Sequence, residues 1–406
     1  MAKKKIFNDP VYGLVSFKYE ILYDIIDHRY FQRLRRITQL GLTHYVYPGA
    51  LHTRFHHAIG ALHLMTMALQ VLSEKGIEIS EEEEQGVCLA ILLHDVGHGP
   101  YSHALEHHII NVHHEDLSLW FMEKLNDEFD GKLSLAIEIF KDNYHKKFLH
   151  ELVSSQLDMD RMDYLIRDSY YTGVAEGVIG YDRIIKMLNV ANGHLVVEEK
   201  GVYSIEKFLV ARRLMYWQVY LHKTVLSAEQ MLIKLLRRVK KLLLENVKVF
   251  LPDNVKELLL VDFESVDKEL IINRYLDLYA QIDDVDILYL IKQNIDSEDY
   301  LLSYMCKSLL ERKLFKIYLH SEKPSQELVS KYIDLTENGL KINTLTAKNL
   351  ILVGQESNQT YNTNKDEIRI LQKNGNVLSL SEHSLEFLKL DEVTKYFICF
   401  PLKPFS

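Results

Sequence analysis

The sequence predicts a mainly α-helical protein, with an all-helical core and a smaller mixed α/β appendage at its C-terminal end. Three observations carry that expectation. Apolar residues recur at helical spacing over most of the first 320 positions, in the longest runs over 54–75 and 204–245. Beyond residue 330 the chain changes to short β-rich runs parted by Asn/Gly turns such as Asn374-Gly375-Asn376. A hydrophobic share of 47% against 26% charged residues, over 406 positions, is that of a globular chain able to bury a large core.

Taken in order, residues 1–20 read as an extended lead-in with turns at Asn8-Asp9-Pro10 and Gly13. From Glu20 to Leu40, Ile21, Leu22, Ile25, Ile26, Leu34 and Ile37 keep a helical period, broken near Asp27-His28. The charged face there is Gln32, Arg33, Arg35 and Arg36. A loop over 41–53 turns at Pro48-Gly49. The helix over 54–75 carries one stripe of Ala58, Ala61, Leu62, Met65, Ala68, Leu69 and Leu72. Ser80, ahead of four glutamates, predicts an N-cap with acids suited to the helix dipole. That helix takes Val87 to Leu93 into the core and ends in His94-Asp95, followed by a Gly-Pro loop. Further helices are expected over 115–129, 133–142, 147–169 and 204–245, with helical patterns continuing through 254–318. The segments 348–354, 367–371 and 395–400 read as strands.

The composition narrows the function. A net charge of −9 argues against a general nucleic-acid binder. Cys88, Cys306 and Cys399 lie far apart in no metal or redox spacing and read as reduced thiols in a cytoplasmic protein. The start Met-Ala-Lys-Lys-Lys has no apolar region behind it, so no signal peptide is expected. No run of about 18 apolar residues is seen, so no membrane span is expected. The histidines stand out: most of the 19 fall between His44 and His114.

Those histidines suggest a metal site. His57 opens the 54–75 helix, and His94 and Asp95 close the next one. A fourth ligand is expected from the stretch 157–164, where Asp158, Asp160 and Asp163 sit in an apolar helix. Buried acids need partners or metals. Two His with two Asp form a mixed N/O set suited to Fe, Mn, Zn, Co or Ni, with positions open for water or phosphate. The competing reading is a satisfied polar core. His28, His63, His107, His108, His145 and His150 read as surface or structural residues, and the basic stripe 237–241 as a solvated helix face.

The longer strings carry a resemblance. These are Tyr45-Val46-Tyr47-Pro48-Gly49-Ala50, Arg54-Phe55-His56-His57, His94-Asp95-Val96-Gly97-His98-Gly99-Pro100-Tyr101-Ser102-His103, and Asp158-Met159-Asp160-Arg161-Met162-Asp163-Tyr164 through Arg167-Asp168. Together they resemble the deoxynucleoside triphosphate triphosphohydrolase branch of the HD-domain phosphohydrolases, over about residues 5–320. The resemblance implies an HD-type catalytic core and hydrolysis at the α-phosphorus of a dNTP. It implies His57, His94, Asp95 and Asp160 as ligands of a divalent metal (Fe, Mn, Zn, Co, Ni or Mg), with a possible Mg on the nucleotide phosphates.

His114 would be the acid for the leaving 5′-oxygen, oriented by Glu115 or Glu106. His98 and His103 would contact the phosphates, and Arg54, Arg161 and Arg212 would clamp them. Tyr164 and Asp168 would meet the sugar, with Gln39 and Leu40 in its pocket, and the string through Tyr216 and Tyr220 would close the pocket. Tyr216 stands where the human member of the family has His. A phosphohydrolase or phosphodiesterase on another nucleotide, or a non-catalytic nucleotide or nucleic-acid binder, is the alternative. Lys5, Ile6, Asn8, Asp27, Gln32 and Arg35 resemble the part of the family that binds an activating guanine nucleotide (GTP or dGTP). The motif Arg312-Lys313-Leu314-Phe315-Lys316 resembles the piece that completes this site from another subunit, which implies a homotetramer. A second nucleotide would rest on Arg183, Lys200 and Lys223. The implied organisation is a regulatory lead-in over 1–50, a catalytic core over 51–245, a helical extension over 246–325 and the mixed region 326–406.

Overall fold

The computed structural model describes residues 5–263, 265–358, 361, 367–383 and 393–401. Residues 1–4 of the lead-in, 264 of the helical 254–318 stretch, and 359–360, 362–366, 384–392 and 402–406 of the C-terminal region lie outside the described residues.

The fold is mainly helical. The lead-in is a hairpin of β1 (Phe7–Asp9) and β2 (Gly13–Val15), paired Phe7 to Val15 and Asp9 to Gly13. Asp9 ties its turn, accepting from the amides of Val11 at 2.8 Å and Tyr12 at 3.0 Å. Next come α1 (Glu20–Asp27) and the single turn α2 (Arg29–Gln32). The break at Asp27-His28 has a local cause: the His28 side chain caps α2 by accepting from the Tyr30 amide. Arg33, expected on a charged face, is instead buried. It donates to the carbonyls of Val96 (3.1 Å), His98 (2.8 Å) and Ile282 (3.2 Å).

α3 (Arg54–Glu74) is the central helix, and Ala58, Ala61, Leu62, Met65, Ala68 and Leu72 on it are fully buried. By length and composition it is long and apolar enough to cross a membrane, where the sequence reading expected no such stretch. Its most apolar part is 67% buried inside the fold, as in the core helix of a globular protein. α4 (Glu81–Leu93) packs on it and starts with the expected cap. Ser80 and Glu83 form a reciprocal box, with Glu83 N to Ser80 Oγ at 3.2 Å and Ser80 N to Glu83 Oε2 at 2.8 Å.

α5 (His114–Glu128) and α6 (Ser134–Phe140) follow as expected. The helix expected over 147–169 is two, α7 (Lys147–Val153) and α8 (Met159–Thr172). Asp158 makes the break by turning to cap α8, accepting from the Arg161 amide at 2.7 Å. α9 (Tyr181–Met187) leads into a hairpin absent from the sequence reading, β3 (Leu188–Ala191) with β4 (His194–Glu198), closed at Asn192-Gly193. The helix expected over 204–245 is also divided, into α10 (Val202–Met215) and α11 (Lys223–Leu244), by a π turn over Tyr216–Tyr220.

The rest comprises α12 (Asp253–Leu260), α13 (Lys268–Leu270), α14 (Leu276–Tyr279), α15 (Asp284–Gln293), α16 (Tyr300–Leu310), β5 (Lys316–His320), α17 (Gln326–Leu340), α18 (Thr344–Leu350), β6 (Leu352–Asn358), β7 (Arg369–Leu371), β8 (Val377–Ser379), α19 (Leu380–His383) and β9 (Val393–Phe400). β9 lies between β5 and β6, antiparallel to both. β7 pairs parallel with β4, so a sheet ordered β3-β4-β7-β8 joins the C-terminal region to the helical core. The strand expected over 348–354 begins only at Leu352, because α18 runs to Leu350.

Candidate metal centre and substrate cleft

Three elements bring the expected ligands together. His57 comes from the first turns of α3, His94 and Asp95 from the end of α4, and Asp160 from the first turn of α8. His57 Nε2 lies 3.1 Å from Asp160 Oδ1, 3.3 Å from His94 Nε2 and 3.6 Å from Asp95 Oδ2. His94 Nε2 is 3.4 Å from Asp95 Oδ1 and 3.5 Å from Asp160 Oδ1. Both imidazoles use Nδ1 elsewhere. His57 Nδ1 meets Asp163 Oδ2 at 2.8 Å and His94 Nδ1 donates to the Ile91 carbonyl at 2.6 Å. This leaves both Nε2 atoms facing two carboxylates in a buried site, a donor set that fits a divalent metal. Charge is shared within the cluster. Burial disfavours a charged His57, but Asp160 and Asp163 outweigh it and raise its pKa to about 10. Burial likewise opposes ionisation of Asp160, and His57 and His94 hold it well below the usual carboxylate range.

A second cluster adjoins the first. His98, His103 and His114 bring one nitrogen each within 4.8 Å of the others, and the rings of His98 and His114 stack at 4.0 Å. Gly97 permits this approach: a Cβ there would sit 2.2 Å from the His114 carbonyl and 2.4 Å from the Ser118 amide. Of the two candidate orienting acids, Glu106 reaches His114. Its Oε1 is 2.6 Å from His114 Nδ1, and its Oε2 is 3.0 Å from His103 Nδ1. Glu115 lines the cleft from an exposed position. His98 is held well below its ordinary pKa, by burial and then by Arg54. Asp95 bridges the clusters, 3.3 Å from His98 Nε2 and paired to Arg54.

One cleft of about 860 Å³ opens onto both clusters. Gln39, Leu40, Arg54 and His103 are among the residues that line it. Arg161, Tyr164 and Asp168 line it from α8, and Arg212, Tyr216 and Tyr220 from α10 and the π turn. Arg161 is paired with Asp158. Arg212 has two buried nitrogens, Nε and Nη1, with no hydrogen-bond partner among the described residues. Asp168 is held by His52 Nε2 at 2.7 Å and by the Tyr220 hydroxyl at 2.8 Å.

Among the cleft residues that the sequence reading did not single out are two acids. Glu229 shares a face of α11 with Leu226, Gln230 and Ile233, and Glu356 comes from β6. Burial, with Glu356 adding, raises the Glu229 carboxyl to about 8. The available signal was a charge at 229 set between the apolar positions Leu226 and Ile233.

The residues expected at the regulatory site lie exposed or half-buried, most of them held by neighbours in this chain. Lys5 pairs with Asp27, Arg35 Nε donates to Gln32 Oε1 at 2.9 Å, and Ile6 and Asn8 are exposed on the hairpin. Arg312 donates to the Tyr45 carbonyl at 2.7 Å, and Lys316 lies over the Tyr318 ring. Arg183 donates to the Lys200 carbonyl at 3.1 Å, and Lys223 is exposed at the start of α11.

The family model described as HD associated region matches residues 179–254. The protein YwfO of Bacillus subtilis is 34% identical over 400 residues, which cover 95% of this chain and 88% of that one. The deoxynucleoside triphosphate triphosphohydrolase SAMHD1 homolog of Dictyostelium discoideum is 32% identical over 248 residues, covering 56% of this chain but only 48% of that protein. The crystal structure of a phosphohydrolase from Bacteroides thetaiotaomicron matches with a TM-score of 0.92 at 44% identity, over 98% of this chain and 100% of that one.

Proposed function

The chain belongs to the HD-domain phosphohydrolases, and on that premise we propose that it is a deoxynucleoside triphosphate triphosphohydrolase, which hydrolyses dNTPs to deoxynucleoside and triphosphate. The observation that carries this reading is the single cleft in which the buried His/Asp set, the histidine trio and an Arg212 guanidinium with two nitrogens free of hydrogen bonds among the described residues meet. A divalent metal held by His57, His94, Asp95 and Asp160 would supply an activated water and neutralise phosphate charge. Arg54, Arg161 and Arg212 clamp the phosphate oxygens, since guanidinium forks suit that geometry. His98 and His103 add contacts to the same oxygens. His114, with Nδ1 engaged by Glu106, presents Nε2 as the proton donor to the leaving 5′-oxygen. Tyr164, Asp168 and Tyr220 meet the sugar, which Gln39 and Leu40 enclose.

Activation by a guanine nucleotide belongs to the same proposal. Lys5, Asp27, Gln32 and Arg35 supply charge and edge donors on one surface, and the 312–316 motif would complete the site from another subunit of a tetramer. A second reading, hydrolysis of another nucleotide, is favoured by Tyr216, whose ring stands edge-on to Tyr220 at 5.2 Å.

The test incubates the protein with each dNTP and Mn²⁺ or Mg²⁺, with and without GTP, and separates the products by chromatography. Inorganic triphosphate is the expected product, with its yield increased by GTP. Release of orthophosphate or of nucleoside monophosphate alone would sink cleavage of the bond between the α-phosphorus and the 5′-oxygen.

A further inference from the structure

We propose that Asp9 is a positioning residue of the metal centre, acting on His57 through Arg167 and Asp163, and that the β1–β2 hairpin is thereby a working part of that centre. The inference rests on the reading of His57 as a metal ligand and goes beyond it, because Asp9 lies in a segment remote from every ligand in the chain.

The connection is continuous. His57 Nδ1 meets Asp163 Oδ2 at 2.8 Å. Arg167 grips the same carboxylate with two nitrogens, Nε to Oδ2 at 2.8 Å and Nη2 to Oδ1 at 2.9 Å. Its Nη1 donates to Asp9 Oδ2 at 2.8 Å. His57, Asp163 and Arg167 are 0% exposed and Asp9 is 6% exposed, so water screens none of these contacts. The Tyr12 ring, next to the hairpin turn, lies 5.5 Å from the Arg167 guanidinium.

The fold has made room for this chain of contacts. Gly60 lies on α3, one turn beyond His57. A Cβ there would fall 2.0 Å from Arg167 Nη2 and 2.1 Å from Asp163 Oδ1. Asp9 is also committed at both ends: Oδ2 holds Arg167 while Oδ1 ties the hairpin turn through the amides of Val11 and Tyr12.

The charge pattern gives the relay its effect. Two carboxylates face one guanidinium, leaving one net negative charge in a dry interior behind the His57 ring. That charge favours a cation at Nε2, and the fixed hydrogen bonds hold the ring so that Nε2 points at it. If Asp9 is neutralised, Arg167 draws more of the Asp163 charge and leaves less for His57. Linkage makes the effect reciprocal: whatever the hairpin contributes to metal affinity, bound metal returns as hairpin stability.

The experiment measures Mn²⁺ affinity by calorimetric titration for the wild-type protein, Asp9→Asn and Arg167→Lys. It also measures hydrogen exchange at the Val11 and Tyr12 amides of the wild-type protein with and without Mn²⁺. Asp9→Asn keeps the side-chain size and should weaken Mn²⁺ binding by about tenfold, the lower end of what outer-shell partners contribute. Mn²⁺ should slow exchange at both amides, a readout that needs no variant to fold. Wild-type affinity in Asp9→Asn, or exchange indifferent to Mn²⁺, would overturn the relay while leaving the metal site intact. A wild-type protein that takes up no Mn²⁺ would overturn the metal reading and the relay together.

Discussion

His57 can serve the centre through one atom only, because Asp163 occupies Nδ1 and leaves Nε2 among His94, Asp95 and Asp160. Loss of a ligand from this set should therefore cost more than loss of an outer partner. His94→Ala and Asp160→Ala should lower turnover by more than the roughly 10–100-fold typical of outer-shell changes. Elemental analysis of either purified variant should find the metal gone, and a full metal complement with normal turnover would refute the assignment. Glu229 makes a prediction of a different kind. Its folded carboxyl holds a proton to about pH 8, where an ordinary glutamate releases it near 4.5. Between those values unfolding releases a proton, so stability should fall as pH rises through that window. Glu229→Gln should flatten the decline, read as urea midpoints at several pH values from about 5 to 8; parallel curves for the two proteins would contradict it. Residues in contiguous strings, such as His94-Asp95 and Asp160, were readable in the sequence. The link from Asp9 to His57 was not, because only the fold brings position 9 beside position 167.

At the scale of the element, the loop after α4 acts as one unit. Arg33 fixes the carbonyls of Val96 and His98, and the Gly97 amide donates to Ser118 Oγ at 2.9 Å. Gly97→Ala would press a methyl against the His114 carbonyl and the Ser118 amide. It should cost about 1–3 kcal/mol of stability, the usual range for overpacking. The larger effect should be on kcat, because the His98–His114 stack is displaced while the metal ligands keep their places. Steady-state kinetics beside a denaturant titration would show this, and an unchanged kcat would mean the stack has no part in the chemistry. Ser80→Ala removes one half of a capping box far from the cleft. It should cost about 1 kcal/mol with KM and kcat unchanged. Helix positions were legible where apolar periodicity was uninterrupted, as in α3, α4 and α11. Helix breaks were less so, because a period carries straight across a residue such as Asp158, whose side chain leaves the helix to cap the next one.

At the scale of the molecule, residues far apart in sequence meet in sheets and in the metal centre. The mixed character of the C-terminal region was visible from its Asn/Gly turns. Its attachment was not, since the parallel pairing of β7 with β4 joins short strands with little pattern of their own. The metal centre joins elements in a comparable way, drawing its ligands from the start of α3, the end of α4 and the start of α8. An ion bound there ties the ends of three helices together, and it binds the folded chain far better than the unfolded one. Occupancy at 100 times Kd should then add about 2.7 kcal/mol of stability. Stripping the protein with a chelator should lower Tm by an amount on the order of a few degrees, and Mn²⁺ returned in excess should restore it. His94→Ala serves as the internal control: its melting temperature should respond to neither chelator nor metal. A wild-type protein that melts at one temperature under all three conditions would mean that no ion ties these helices together.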